Sequence, residues 1–360
     1  MNTKKRHYYH SRNEINYLVK LLILFVGLLI CIFMGIKYKY SEYKLKTGNF
    51  YQKIAHRTDV NILIVGDSIG AGTGASEINK SWPTLLSTVI KDKYGVNCNI
   101  TNISMGGNTS YAGYVQTKSL NNNIDYDLSI ICYGQNDSEE DFSLYYESII
   151  RAIQSKYKNC EIISILESSQ REYTTKMQEI RLLDKYYNIP IADTIFSFNN
   201  SGINYENLSN DGVHPSDKGH EIYMKTILNL INENLDKNEI YFKSNLNPYN
   251  NDAVKFDTFK YISVGEFEKI NDTTYELKTK PIYGIMGIDY SFESGNNLAK
   301  IYIDNQIFAA PEVIFNYDFS QRHIMIVKNE CKVKKLIKLE FGTVSQADKF
   351  QGIIFSNIGN

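Results

Sequence analysis

The sequence predicts three successive parts: one apolar helix of bilayer length, a parallel α/β domain, and an all-β domain. Three observations predict them. Leu21 to Ile36 is an uncharged apolar run. From residue 58 to 236, short apolar runs without polar alternation take turns with helical patterns, as expected for strands buried on both faces of a parallel sheet. From 253 to 360, strand-like runs recur between turn residues, with no long helical pattern. The 360 residues, 43% hydrophobic and 22% charged, suffice for two domains with substantial cores and exclude a disordered chain.

In chain order, residues 1–17 are expected as a cytoplasmic tail and 18–36 as a transmembrane helix. About 19 residues rising roughly 1.5 Å each approach the ~30 Å of a bilayer core. A cleaved signal peptide is the competing reading, but no small-x-small site follows the run. Lysines flank both ends, so charge does not orient the span. The short tail favours a single-pass protein with its bulk outside the cell. Residues 37–57, polar and rich in tyrosine, read as a stalk.

Five strands are expected in the α/β domain: Asn61–Val65, Val96–Ile103, Asp127–Tyr133, Glu161–Leu166 and Ile189–Ala192. Helical patterns fall at about 80–93, 141–158, 172–187 and 216–236. A polar, turn-rich segment at 237–252 reads as a linker. Beyond it come "KYISVGEF", "TTYELKT", "YGIMGIDYSFE", "AKIYIDNQIF", "HIMIVK", "KLIKLEFG" and "QGIIFSN", with turns such as Asp304-Asn305 between them. These predict a sandwich-like accessory domain over 253–360.

Ligands of open α/β sheets bind beyond the carboxyl ends of the strands. Here those ends carry Gly66-Asp67-Ser68, Met105-Gly106-Gly107-Asn108 and Gly134-Gln135-Asn136-Asp137, and a late loop reads Asp211-Gly212-Val213-His214-Pro215. A serine hydroxyl needs an adjacent base to act as a nucleophile, and His214 supplies one. Asp211, three residues earlier, can reach the imidazole through a turn at Gly212 and fix its tautomer. Ser68 N–H, Gly107 N–H and the Asn136 amide are candidate donors to an oxyanion.

A second reading takes Gly70-Ala71-Gly72-Thr73-Gly74-Ala75 as a dinucleotide fingerprint. It fails on position: the first glycine should follow the strand at once, and Asp67 would repel a pyrophosphate. These small residues more simply let the segment after Ser68 pass close to neighbouring backbone.

The four blocks, in this order over residues 58–236, resemble those of the SGNH (GDSL) hydrolase family. The resemblance implies a flavodoxin-like three-layer parallel-sheet hydrolase domain. It implies Ser68 as nucleophile, Asp211 and His214 as its triad partners, and Ser68, Gly107 and Asn136 as the oxyanion hole. Ile69 stands where leucine is usual, and Met105-Gly106 precedes Gly107 where a small residue and serine are common, which leaves Gly106 as an alternative donor. His56, His220 and His323 lack such company and read as structural or surface residues.

No metal or cofactor is called for. The six histidines show no close ligand spacing and the five cysteines form no CxxC pair. A net charge of −1 gives no reason to expect nucleic acid. The expected activity is an ester hydrolase acting on O-acetyl groups of cell-surface or extracellular polysaccharide, or on another small ester. The alternatives are a carbohydrate O-acetyltransferase of the same fold and a catalytically silent glycan-binding or assembly protein.

Overall fold

The computed structural model describes residues 17, 19–37, 39, 48–121, 123–237, 247–292, 297–309, 312–313 and 321–358. The chain divides into two compact units, Met1–Gly48 and Asn49–Asn360. In the first, helix α1 (Val19–Lys37) has 19 residues and is apolar enough to cross a membrane, a test that a signal sequence passes as well. Residues 1–16 of the expected tail and residues 38 and 40–47 of the expected stalk lie outside the described residues.

In the second unit, β1 (Val60–Gly66), β2 (Cys98–Asn102), β3 (Leu128–Cys132), β4 (Glu161–Leu166) and β5 (Ile191–Asp193) form one parallel sheet. Its order is β2-β1-β3-β4-β5. Every residue of β3 and β4 is buried, which is why their sequences do not alternate. The helices in chain order are α2 (Phe50–Ala55), α3 (Ser68–Ala71), α4 (Trp82–Tyr94), α5 (Ser110–Ser119), α6 (Phe142–Lys156), α7 (Thr175–Tyr187), α8 (Thr194–Asn199), α9 (Tyr205–Leu208) and α10 (Asp217–Lys237). Successive side chains of a strand point to opposite faces. Ile62 and Ile64 of β1 therefore join Phe50, Trp82, Leu86, Tyr223 and Ile227 in one core. Leu63 and Val65 join Tyr114, Ile149, Ile153 and Met177 in the other. Each such buried aliphatic side chain contributes about 1.5–3 kcal/mol.

Two expectations are corrected here. Residues 50–55 are not stalk: Asn49 and Gln52 close a capping box, and Phe50, Tyr51 and Ile54 are buried. Asn49 also donates to Glu161 Oε1 (2.9 Å), and Asn234 donates to the Tyr51 hydroxyl (2.9 Å). Helix α5 was not expected at all. Seven of its ten residues are buried, so its sequence, SYAGYVQTKS, has no amphipathic period to read.

In the second half of this unit, β6 (Phe259–Ser263), β7 (Glu268–Asn271), β8 (Thr274–Lys278), β9 (Ile282–Phe292), β10 (Asn297–Ile303), β11 (Gln306–Ala309), β12 (Glu312–Val313), β13 (Gln321–Val333), β14 (Leu336–Phe341) and β15 (Phe350–Ser356) follow, with one helical turn, α11 (Val344–Ala347). One antiparallel sheet runs β11-β10-β14-β8-β7, with β12 beside β10, and the other runs β13-β9-β15-β6. Asp304 and Asn305, both at positive φ, turn β10 into β11. Met286, Ile288 and Tyr290 of β9 share a core with Ile337, Leu339 and Phe341 of β14, and Tyr290 stacks on Phe341 at 5.6 Å.

The described end of the expected linker is docked rather than free. The backbone N–H groups of Tyr249 and Asn250 donate to the buried Glu147 carboxylate (2.5 and 3.0 Å). Phe256 then inserts edge-on between Tyr114 and Tyr145, at 5.5 and 5.3 Å. The β-domain is thereby held against α5 and α6.

Candidate active site

Strand β1 ends at Gly66, and the chain turns at once into α3. Asp67 is its N-cap and accepts from Ile69 N–H (2.8 Å). Ser68 is the first residue of that turn. Its Oγ lies 2.9 Å from His214 Nε2, and His214 Nδ1 lies 2.6 Å from Asp211 Oδ2. The second Asp211 oxygen, Oδ1, accepts from Val213 N–H (2.9 Å) and His214 N–H (2.7 Å), through a turn at Gly212 with φ +82°. Partial burial, the largest single influence, pushes the Asp211 carboxyl up. The hydrogen bonds from the His214 ring and the two backbone N–H groups outweigh it, and hold the group down at about 2. Asp211 is therefore a carboxylate at any pH where imidazole titrates, ready to support an imidazolium.

The glycines after Ser68 serve this arrangement. Gly74 has φ +97°, and a Cβ there would meet Pro215 O at 2.3 Å and His214 Cβ at 2.9 Å. Gly74→Ala is expected to push the His214 loop away from Ser68 and to lower kcat by about 10²-fold, the cost of an ångström-scale misplacement. Steady-state kinetics on an aryl acetate check this; unchanged kcat would contradict it. His220 holds the same segment. It accepts from Trp82 N–H (3.3 Å) and donates from Nε2 to Thr73 O (3.2 Å), and burial lowers it to about 4. Its structural role follows from these bonds.

Asn136 hangs from the loop after β3. Lys176 donates to Gly134 O and to Asp137 O (2.7 Å), Glu167 accepts from Gln135 N–H (2.8 Å), and Asp137 accepts from Ser110 N–H (2.8 Å) and Oγ (2.6 Å). All three ionisable side chains are buried. The Asn136 amide donates to Asn108 O (3.1 Å) and, weakly, to Asp67 Oδ2 (3.4 Å). Burial pushes the Asp67 and Glu167 carboxyls upward; the Asp67 charge raises Glu167 further, whereas the hydrogen bond with Glu167 lowers Asp67.

Gly106 and Gly107 form the third wall. Gly107 has φ +66°, a conformation that favours glycine. No acceptor among the described residues takes the N–H of Ser68, Gly106 or Gly107. A Cβ on Gly106 would lie 3.6 Å from Ser68 Cβ. A Cβ on Gly107 would instead meet Gln321 Nε2 at 2.7 Å and His323 Cε1 at 3.0 Å. These two residues of β13 come from the accessory domain. Sequence reasoning missed Gln321 and assigned His323 no part here; neither lies in a motif, and no local pattern marks them. Among the described residues no group of histidine, cysteine or carboxylate side chains is arranged to hold a metal ion.

A parallel sheet in this order, with a hydroxyl, an imidazole and a carboxylate chained at its carboxyl edge, is the layout of an α/β acylhydrolase. A sequence model of the GDSL-like Lipase/Acylhydrolase family matches residues 64–222, so the chain carries an ester-hydrolase domain of that family. No curated protein matches the sequence. Among solved structures, a two-domain esterase active on acetylated mannans, co-crystallized with mannopentaose, aligns with TM-score 0.65 and 15% identity over 89% of this chain and 94% of its own. A second structure of a two-domain esterase active on acetylated mannans gives 0.66 and 14% over the same shares. The family 3 carbohydrate esterase of Clostridium thermocellum aligns with TM-score 0.44 and 15% identity over 50% of this chain and 98% of its own. The first two establish a shared two-domain fold.

Proposed function

We propose that this protein is a membrane-anchored serine esterase that removes acyl groups, foremost O-acetyl groups, from cell-surface or extracellular carbohydrate. The observation that carries the reading is the continuous Ser68–His214–Asp211 chain at 2.9 and 2.6 Å. Ser68 Oγ attacks the ester carbonyl as His214 Nε2 takes its proton. The oxyanion is held by Ser68 N–H, the Gly107 or Gly106 N–H, and the Asn136 amide, whose 3.4 Å bond to Asp67 is the weaker of its two and is the one exchanged. His214 returns the proton to the departing sugar hydroxyl, leaving an acyl-serine. Water, deprotonated by the same imidazole, releases the acid and restores Ser68.

Two features support the finer parts. The likeness in fold to an esterase active on acetylated mannans supports an acetylated carbohydrate. Helix α1 supports an anchor. The test is acetate release from an aryl acetate with and without an oligosaccharide acceptor. Hydrolysis that is indifferent to the acceptor is expected; acceptor-dependent transfer without net hydrolysis would overturn the esterase reading in favour of an acetyltransferase.

A further inference from the structure

We propose that Gln321, on the accessory β-domain, is a substrate-contacting residue of the hydrolase site, where its side-chain amide hydrogen-bonds the sugar that carries the scissile ester. The proposal rests on the carbohydrate-esterase reading above and adds to it a specificity residue from outside the hydrolase domain.

The argument begins at the edge of a sheet. Strand β13 is the outermost strand of β13-β9-β15-β6, so among the described residues one side of its backbone has no strand partner. An exposed edge of this kind seeks donors and acceptors. Asn108, next to the glycine pair, provides both: its Nδ2 donates to Arg322 O (2.8 Å) and its Oδ1 accepts from Ile324 N–H (3.0 Å). The carboxamide thus caps the edge as a peptide group would. The same Nδ2 also donates to Gly106 O (2.9 Å). The strand is steadied from behind by Arg322, which forks onto the fully buried Asp289 at 2.8 and 2.6 Å, while Tyr261 donates to the same carboxylate (2.9 Å). Such bidentate pairs fix orientation as well as charge.

With Arg322 and Ile324 fixed in this way, Gln321 and His323 share the other side-chain direction of the strand. Both reach the glycine pair. Gln321 Nε2 is 3.1 Å from the point where a Gly106 Cβ would stand, and Ser68 Cβ is 3.6 Å from that same point. A half-buried neutral amide and the nucleophile thus flank one small space left open by glycine. An acyl group on Ser68 and the alcohol leaving it must occupy that neighbourhood. A carboxamide offers both donors and an acceptor, which suits the hydroxyl groups of a sugar and gives no advantage to an aryl leaving group.

The experiment compares the full-length protein with Gln321→Met, which keeps the side-chain volume, and Gln321→Ala. The substrates are an O-acetylated manno-oligosaccharide and 4-nitrophenyl acetate. The expected result is a three- to tenfold loss of kcat/KM on the acetylated oligosaccharide, about the worth of one neutral hydrogen bond, carried mostly by KM and larger than the loss on the aryl ester. Equal losses on both substrates would assign Gln321 to propping the glycine loop and overturn the proposal. No loss on either would overturn it as well. Wild-type protein that cleaves only the aryl ester would instead sink the carbohydrate reading, and this inference with it.

Discussion

Ser68→Ala is expected to lower kcat by about 10⁵–10⁶-fold, leaving a small rate above the uncatalysed reaction from the oxyanion donors alone. The size follows from what the hydroxyl does: without it no acyl-enzyme forms, and His214 and Asp211 have nothing to activate. The loss should not reflect unfolding. Ser68 Oγ bonds His214 Nε2, whereas the turn itself is held by the Asp67 cap and by Thr73 N–H donating to Ser68 O (2.9 Å). Melting temperature should therefore stay close to that of the wild type. Adding His214→Ala to Ser68→Ala should cost little more, because the residues act as one unit. Retention of a tenth or more of the wild-type rate by Ser68→Ala would place the nucleophile elsewhere.

The second largest effect is expected from Asn136→Ala, a loss of about 10²–10³-fold in kcat with KM nearly unchanged. The amide is held at the site by a buried framework: Lys176 on two carbonyls of its loop, Glu167 on Gln135 N–H, and Asp137 on Ser110. That framework survives the substitution, so what disappears is the donor, together with its bonds to Asn108 O and Asp67. A donor to a developing charge acts in the transition state and not in the bound ester, hence the expected separation of kcat from KM. Steady-state kinetics decide it: a rise in KM with constant kcat would make Asn136 a ground-state contact instead.

The hydrolase sheet was legible because its strands are buried on both faces. Runs such as Asn61–Val65 and Glu161–Leu166 are continuous, and they end where polar, glycine-rich loops begin. The same ends carry the short blocks that mark Ser68 and Asn136, and the block with His214 stands in the loop before α10. Helix α5 was illegible for the opposite reason: it is enclosed on most sides, and Gly113 is there because a Cβ would strike the Tyr133 ring at 2.5 Å. Helix α2 was too short to show a period, and its anchors, Glu161 and Asn234, lie far along the chain. The contribution of β13 was the hardest to foresee. Asn108 meets Arg322 and Ile324 across more than two hundred residues, and nothing in "HIMIVK" announces that its histidine will face a glycine of another domain. Local pattern reveals an element; only the packed fold reveals what its edge touches.

The central claim is that Ser68 is the nucleophile, activated through His214. Its most direct test is labelling of the intact protein with an alkyl phosphonate, followed by peptide mass mapping. The account predicts one adduct per chain, on Ser68, with label and esterase activity lost together when His214 is replaced by alanine. An adduct on a different serine, or full esterase activity in protein labelled at Ser68, would contradict it.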